Sequence, residues 1–235
     1  MPDHRHSEPV TEPDSAPGWN AIDETFANLY PGQTPHQFAS QTAYDLDSPN
    51  PLPAITVWEA SSPHGSLSWH FVSYGLSELF EKSSDDLEYS GFGFELTFRL
   101  PRKVEESSPP PGPLNLLQSL GRHVLEQRQG FDTGHCLALD SSNSSDKKKS
   151  FVALVCIPDP AVSGIHTPFG KLLFLQLVSV YRPELEWLQT LDPMDRARFL
   201  IDINPNGLND PTRISWLEDP NKKPTLDRFR LGLKF

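Results

Sequence analysis

The hydrophobic pattern of this chain is organised around residues 69–100. At the end of that stretch Phe92, Phe94, Leu96, Phe98 and Leu100 take every second position, with Gly93, Glu95, Thr97 and Arg99 between them. Successive side chains of a strand point to opposite faces, so the five apolar groups share one face. Each is worth roughly 1.5–3 kcal/mol on burial, which predicts a central core strand over 91–100. Glu95 and Arg99 fall on the other face, a spacing that fits a charge pattern on a sheet. Gly91 and Gly93 stand where a strand begins, a place where bulges and close backbone approaches are common; the alternative is that they merely end the loop before it.

The same alternation predicts a strand over 66–74, carried by Leu67, Trp69, Phe71 and Tyr74, and a short one over 54–58. Residues 131–139 resemble another strand. The apolar, β-branched runs 151–157 and 172–181 read as interior strands, with a turn over 166–170 between them. Residues 37–44 are ambiguous, with Phe38, Thr42 and Tyr44 able to share a strand face. Helical spacing of Trp19, Ile22, Phe26 and Leu29 predicts one helix from Gly18, and Leu114, Leu117, Leu120 and Val124 a second that ends near Gly130. A third is predicted over 183–191. Residues 200–203 and 214–217 flank a turn and read as a late hairpin. Leu226, Phe229, Leu231, Leu233 and Phe235 punctuate a basic tail as docking groups. Residues 47–53, 104–113 and 140–150 read as loops. Residues 1–17 are polar and proline-rich and are expected to be a disordered tail. Residues 18–235 then form a single globular α/β domain, a mixed sheet flanked by helices, with no internal repeat.

Charge and composition narrow the function more by exclusion than by assertion. The chain has 235 residues and a formal net charge of −11. That balance argues against nucleic acid as a general partner and suits a soluble protein, or one that meets a basic partner. The longest apolar run is well short of the roughly 20 residues a membrane helix needs, and no secretory signal precedes it, so the expected location is cytoplasmic. Two cysteines, Cys136 and Cys156, make neither a disulfide framework nor a metal motif, and Cys156 is expected to be buried. No phosphate-binding glycine loop, dinucleotide fingerprint or nucleophile elbow is present, so no cofactor is expected. His135 and Cys136 are adjacent and point oppositely in a strand, which spoils them as a base–nucleophile pair. An enzyme would have to assemble its site from dispersed groups such as His70, Glu78, Glu95 and His135. The other candidate surface is the acidic loop of Glu81, Asp85, Asp86 and Glu88, closed by Tyr89, a residue type that anchors interfaces.

Several segments together carry a family resemblance. They are residues 29–33, beginning Leu29-Tyr30-Pro31; residues 69–80, beginning Trp69-His70-Phe71; residues 90–100 around Gly91-Phe92-Gly93-Phe94; and Thr167-Pro168-Phe169-Gly170 with Phe174-Leu175-Gln176. In this order they resemble the N-terminal-type domain of the suppressor of fused family, over about residues 18–220. The resemblance implies an α/β domain and a non-catalytic binding protein. Animal members restrain Gli-type transcription factors by gripping a peptide between this domain and a second, C-terminal one, and the chain ends where the first domain would. Bacterial single-domain relatives, the group this chain looks most like, are associated with polymorphic toxin systems as immunity proteins. The implied partner is therefore a protein, basic or toxin-like, that is sequestered. The chain departs from the animal pattern at His135 and Pro158, where that pattern has acidic residues.

Overall fold

Five alternating apolar groups need a partner surface on each side of their strand, and the sheet supplies both. The structure, a computed structural model, describes residues 16–39, 51–62, 65–139 and 150–232. The predicted core strand is β4 (Tyr89–Pro101), which pairs antiparallel with β3 (Leu67–Tyr74) and parallel with β8 (Gly170–Val180). Beyond β3 lie β2 (Ala54–Ser61) and β1 (His36–Ala39), and beyond β8 lie β6 (Ala153–Pro158) and β5 (Cys136–Ala138). β7 (Gly164–Thr167) folds back on β8 as a hairpin and shares its outer edge with β6. The described residues thus form a mixed eight-stranded sheet, antiparallel except at β4–β8. A parallel pair needs a long crossover; here it runs through α2 (Pro111–Gln127), which starts on proline as the sequence predicts.

Strand alternation divides the interior into layers. Phe94, Leu96 and Phe98 join Leu154, Cys156, Leu175 and Leu177 on the face covered by Leu117, Val124 and Leu125 of α2. The opposite face carries two separate apolar clusters. One packs Ile22 and Phe26 of α1 (Pro17–Leu29) against Val72, Tyr74, Leu172 and Phe174. The other packs Val155, Val178 and Val180 against α3 (Arg182–Leu188), α4 (Pro193–Ile203) and α5 (Lys223–Arg230). Between these two clusters the same face is polar.

Several expectations need correction. The late hairpin does not form: residues 193–203 are α4, with Pro193 in the first turn, the Asp192 side chain accepting from Asp195 N, and Ala197, Leu200 and Ile203 buried. A local apolar run of four residues cannot distinguish one helical face from a strand, and a helix satisfies its own backbone where no strand partner is in reach. Residues 214–217 form no strand and run into a turn at 216–218, where the Arg213 guanidinium lies 3.7 Å from the Trp216 ring centre. The strand predicted over 131–139 shrinks to β5, because Gly134 takes φ +82° and passes against Pro193 O, where a Cβ would sit at 2.2 Å. The turn expected over 166–170 narrows to Pro168 and Phe169, because residues 164–167 are β7, which the sequence left unseen. Leu226 is buried and Phe229 packs beside it, but Leu231 is exposed. The expected tail up to Ser15, the later half of 37–44 and most of the loops at 47–53 and 140–150 lie outside the described residues, as do Leu233 and Phe235.

The strand assignment is open to direct measurement. Phe98 is buried in the α2-covered layer and meets Phe71 edge-on, ring centres 6.3 Å apart. Phe98→Ala is expected to lower unfolding free energy by about 3–5 kcal/mol in a urea titration; an unchanged midpoint would contradict its place in the core.

Candidate functional site

The two glycines at the head of β4 do more than end a loop. Gly91 has φ +58° and Gly93 φ +81°, the left-handed region that favours glycine. Tyr89 pairs with Lys171 and Phe94 with Leu173, so Ser90, Gly91, Phe92 and Gly93 have only Leu172 opposite them. The strand bulges there. A Cβ on Gly91 would lie 2.8 Å from Leu76 O, and one on Gly93 3.0 Å from the Tyr89 ring. Phe92 N donates to Leu76 O at 2.9 Å, which ties the bulge to the turn after β3.

Two carboxylates fix what surrounds the bulge. Glu95 is fully buried, not on an open sheet face, and it accepts five hydrogen bonds: from Ser73 Oγ, Ser77 Oγ and the backbone N–H groups of Gly75, Leu76 and Ser77. Burial pushes its carboxyl up to about 7 while those donors pull it down. Glu78 does the equivalent for the acidic loop. Its Oε1 accepts from Ser83 N and Ser84 N, both at 2.6 Å, and its Oε2 from Gly91 N at 3.0 Å and Lys82 Nζ at 2.9 Å. Lys82 Nζ also reaches Tyr89 O at 2.7 Å and Phe169 O at 3.0 Å. Burial works against the Glu78 carboxylate, but Lys82 and the three N–H donors outweigh it and bring it down to about 2.

The loop is therefore built from inside and polar outside. Glu81, Asp85, Asp86 and Glu88 are all exposed. Asp86 Oδ1 accepts from Glu88 N and Tyr89 N, and Glu88 pairs with Lys171 at 2.8 Å. Tyr89, the expected anchor, is half-buried with Lys171 Nζ 5.7 Å from its ring centre and Gly93 against its side. The apolar group that does stand free is Leu87, 88% exposed at the loop tip, with Phe80 53% exposed at the loop base. A single leucine among four carboxylates was the available signal in the sequence. The bulge also opens two concavities that share Gly91 and Phe92. One, of about 620 Å³, runs along Leu76, Phe80, Leu125 and Arg128; the other, of about 250 Å³, is lined by Tyr89, Phe94, Phe131 and Leu173.

The dispersed groups an enzyme would need do not converge. His70 is wholly buried in the polar seam between the two clusters of the α1 side. Its Nδ1 accepts from Tyr30 Oη at 2.7 Å and Arg99 Nη2 at 3.2 Å, which leaves Nε2–H to donate to Asp159 Oδ2 at 2.9 Å. Burial and Arg99 lower the histidine, so it is neutral. Asp159 also accepts from Thr97 Oγ1 at 2.7 Å and Arg99 Nη2 at 3.4 Å. Burial works to raise its carboxyl, but these partners hold it well below the usual range. Arg99, like Glu95, is thus interior and not a sheet-face charge. Glu95 and Glu78 belong to the separate networks above, and His135 lines a different hollow beside Arg196. Cys136 packs with the helix-covered cluster and Cys156 with the α2 layer, on opposite faces, and Cys156 is buried as expected. Among the described residues no group of three or more His, Cys, Asp or Glu is placed to hold a metal ion, and no helix is long and apolar enough to cross a membrane. Asp159, placed where the chain leaves β6, and Leu87 are the positions that sequence reasoning passed over.

Because Glu78 titrates near 2 in the fold against an ordinary 4.5, its contribution is complete above about pH 4.5 and is lost as pH falls through 2. Glu78→Gln should cost roughly 1.5–3 kcal/mol near neutrality, the range for hydrogen bonds to a charged group. The gap between the two proteins should close on going down to pH 2. Urea titrations of both from pH 6 downward measure it, and a gap that stays constant would exclude the clamp.

Comparison with known proteins fits this architecture. The profile of the family described as suppressor of fused protein (SUFU) matches residues 48–213. The human suppressor of fused homolog is 36% identical over 182 residues, which cover 73% of this chain and 37% of the human protein. The chain therefore spans little more than a third of that relative. The crystal structure of Drosophila Suppressor of Fused superposes with a TM-score of 0.79 at 26% identity, covering 93% of this chain and 55% of that one. A chain in the crystal structure of the Sufu-Fu complex superposes with a TM-score of 0.77 at 27% identity, covering 90% of this chain and 97% of that one. By the length of the profile match and by identity to the human protein, the chain belongs to the suppressor of fused family.

Proposed function

We propose that this chain is a protein-binding domain and that it meets its partner through the loop of Glu81, Asp85, Asp86, Glu88 and Tyr89. The observation that carries the reading is Leu87, held 88% exposed on a loop whose interior is pinned by Glu78 and Lys82. A leucine left in water is unfavourable on its own, and a preorganised loop loses little entropy on docking. The four surrounding carboxylates add long-range attraction for a basic surface, which speeds association more than it deepens affinity. A relative supports the same class of function: one solved family structure is of a Sufu-Fu complex. Both ring nitrogens of His70 and both carboxylate oxygens of Glu95 are engaged by protein groups, which favours binding over catalysis by those groups. In its most concrete form the activity is sequestration of, or immunity against, a basic, toxin-like protein in the cytoplasm.

The test begins with affinity capture and mass spectrometry to obtain the partner, followed by stopped-flow association. Replacing Glu81 and Glu88 with Gln, and Asp85 and Asp86 with Asn, should slow association by on the order of tenfold at low salt and flatten its salt dependence. Leu87→Ala should chiefly raise the dissociation rate. An unchanged association rate at low salt would place the contact surface elsewhere.

A further inference from the structure

We propose that the cavity of about 250 Å³ on the α2 face of the bulge receives one arginine side chain, a reading that rests on the protein-binding role above and names what the partner presents. Its volume falls below the roughly 300–1,000 Å³ of sites that hold a whole small molecule, so it suits a single long side chain. Tyr89, Phe92, Phe94 and Phe131 wall it, and the two bulge glycines add no side chains to fill it. Phe94 and Phe131 lie 5.9 Å apart, ring centre to ring centre, tilted by 35°. Leu173, at 39% exposure, leaves apolar surface open for the stem of an incoming side chain.

The charge of the lining selects the head group. Asp86 and Asp132, from different segments, are its two ionisable carboxylates, and no lysine or arginine lines it. Asp86 Oδ1 is held by Glu88 N and Tyr89 N, and Asp132 Oδ1 by Thr133 N at 2.6 Å; neither Oδ2 has a hydrogen-bond partner among the described residues. The nearby cations are engaged elsewhere. Lys171 pairs with Glu88 while lying over the Tyr89 ring, and Lys82 is bound to Glu78. His135 faces this segment too, its Nδ1 accepting from Asp132 N at 3.1 Å. Aromatic faces carry negative potential and attract cations. Among cations the guanidinium is planar, stacks on rings, is weakly hydrated and presents a fork that two carboxylates can share.

The probe is Nα-acetyl-arginine amide, titrated into the whole chain and followed by amide and aromatic NMR shifts. Saturable shifts at Tyr89, Phe92, Asp132 and Leu173 are expected. The neutral isostere Nα-acetyl-citrulline amide should bind at least roughly tenfold more weakly, since it lacks the charge that the rings and carboxylates recognise. Asp132→Asn, an exposed and conservative change, should weaken the arginine probe several-fold while leaving the rest of the spectrum in place. Shifts confined to other residues, equal response to citrulline, or tighter binding of Nα-acetyl-lysine amide would each overturn the assignment. These outcomes do not depend on finding a partner: failure of the probe removes the pocket and leaves the loop's kinetics standing, whereas failure of the loop variants in stopped flow leaves the pocket's titration unaffected.

Discussion

A charged seam inside the sheet is the constraint the rest of this structure answers to. Asp159 and Arg99 are ionised and buried, and a buried charge is tolerable only when paired and hydrogen-bonded. For Asp159 the fold meets that condition with donors from His70 on β3, Thr97 and Arg99 on β4 and Ala161 N, while Tyr30 at the end of α1 holds the other nitrogen of His70 and Arg99 Nε is left without a partner among the described residues. The seam continues through Gln176 and Asn209, which bond the backbone of β8, of β4 at Arg99 and of the segment after α4. It separates the two apolar clusters of one sheet face and yet holds them to the same strands. Loss of Asp159 or Arg99 would leave the other's charge unpaired in the interior, and loss of Tyr30, His70 or Thr97 would remove a hydrogen bond from the seam.

The head of β4 answers to a second condition, that of paying out extra residues without losing backbone hydrogen bonds. The bulge opposes four residues to one, and Phe92 N and Gly91 N find Leu76 O and the carboxylate of Glu78 instead of β8, while Glu95 holds the facing turn through Gly75, Leu76 and Ser77. One acidic side chain thus stands in for the ladder and a second fixes the turn that the bulge leans on. The outcome is a protrusion beside two hollows, with Glu78 and Glu95 hydrogen-bonded inside and Leu87 exposed among carboxylates outside. The buried carboxylates hold the backbone there, and the bulge leaves Leu87 and the two hollows uncovered. Membership of the suppressor of fused family and the docking surface proposed for this chain rest on different observations. The profile match spans residues 48–213 and gives the family, while the loop tip at Leu87 and the cavity at Asp132, both within that span, are read from geometry.

How much of this was legible from the residues depended on the range of the interaction. Alternation from Phe92 to Leu100 and over 66–74 determined the two central strands, and helical spacing determined α1 and α2, because those signals come from which side of a local element is wet. The same local logic marked Cys156 as buried. It failed where partners came from afar. Residues 200–203 read as strand until their packing on Val155 and Val178 and the cap at Asp192 made them helix. Glu95 and Arg99 read as sheet-face charges because nothing within ten residues of either reveals Ser77 or Asp159 waiting opposite. Gly91 and Gly93 were suspected of a backbone role, yet only the register between β4 and β8 decided that they form a bulge. Hydrophobic periodicity is a property of one segment, and the sequence carries it in full. Burial of a charge, the sign of φ at a bulge and the exposure of Leu87 are set by what other segments bring to the same point, so the tertiary structure alone decided them.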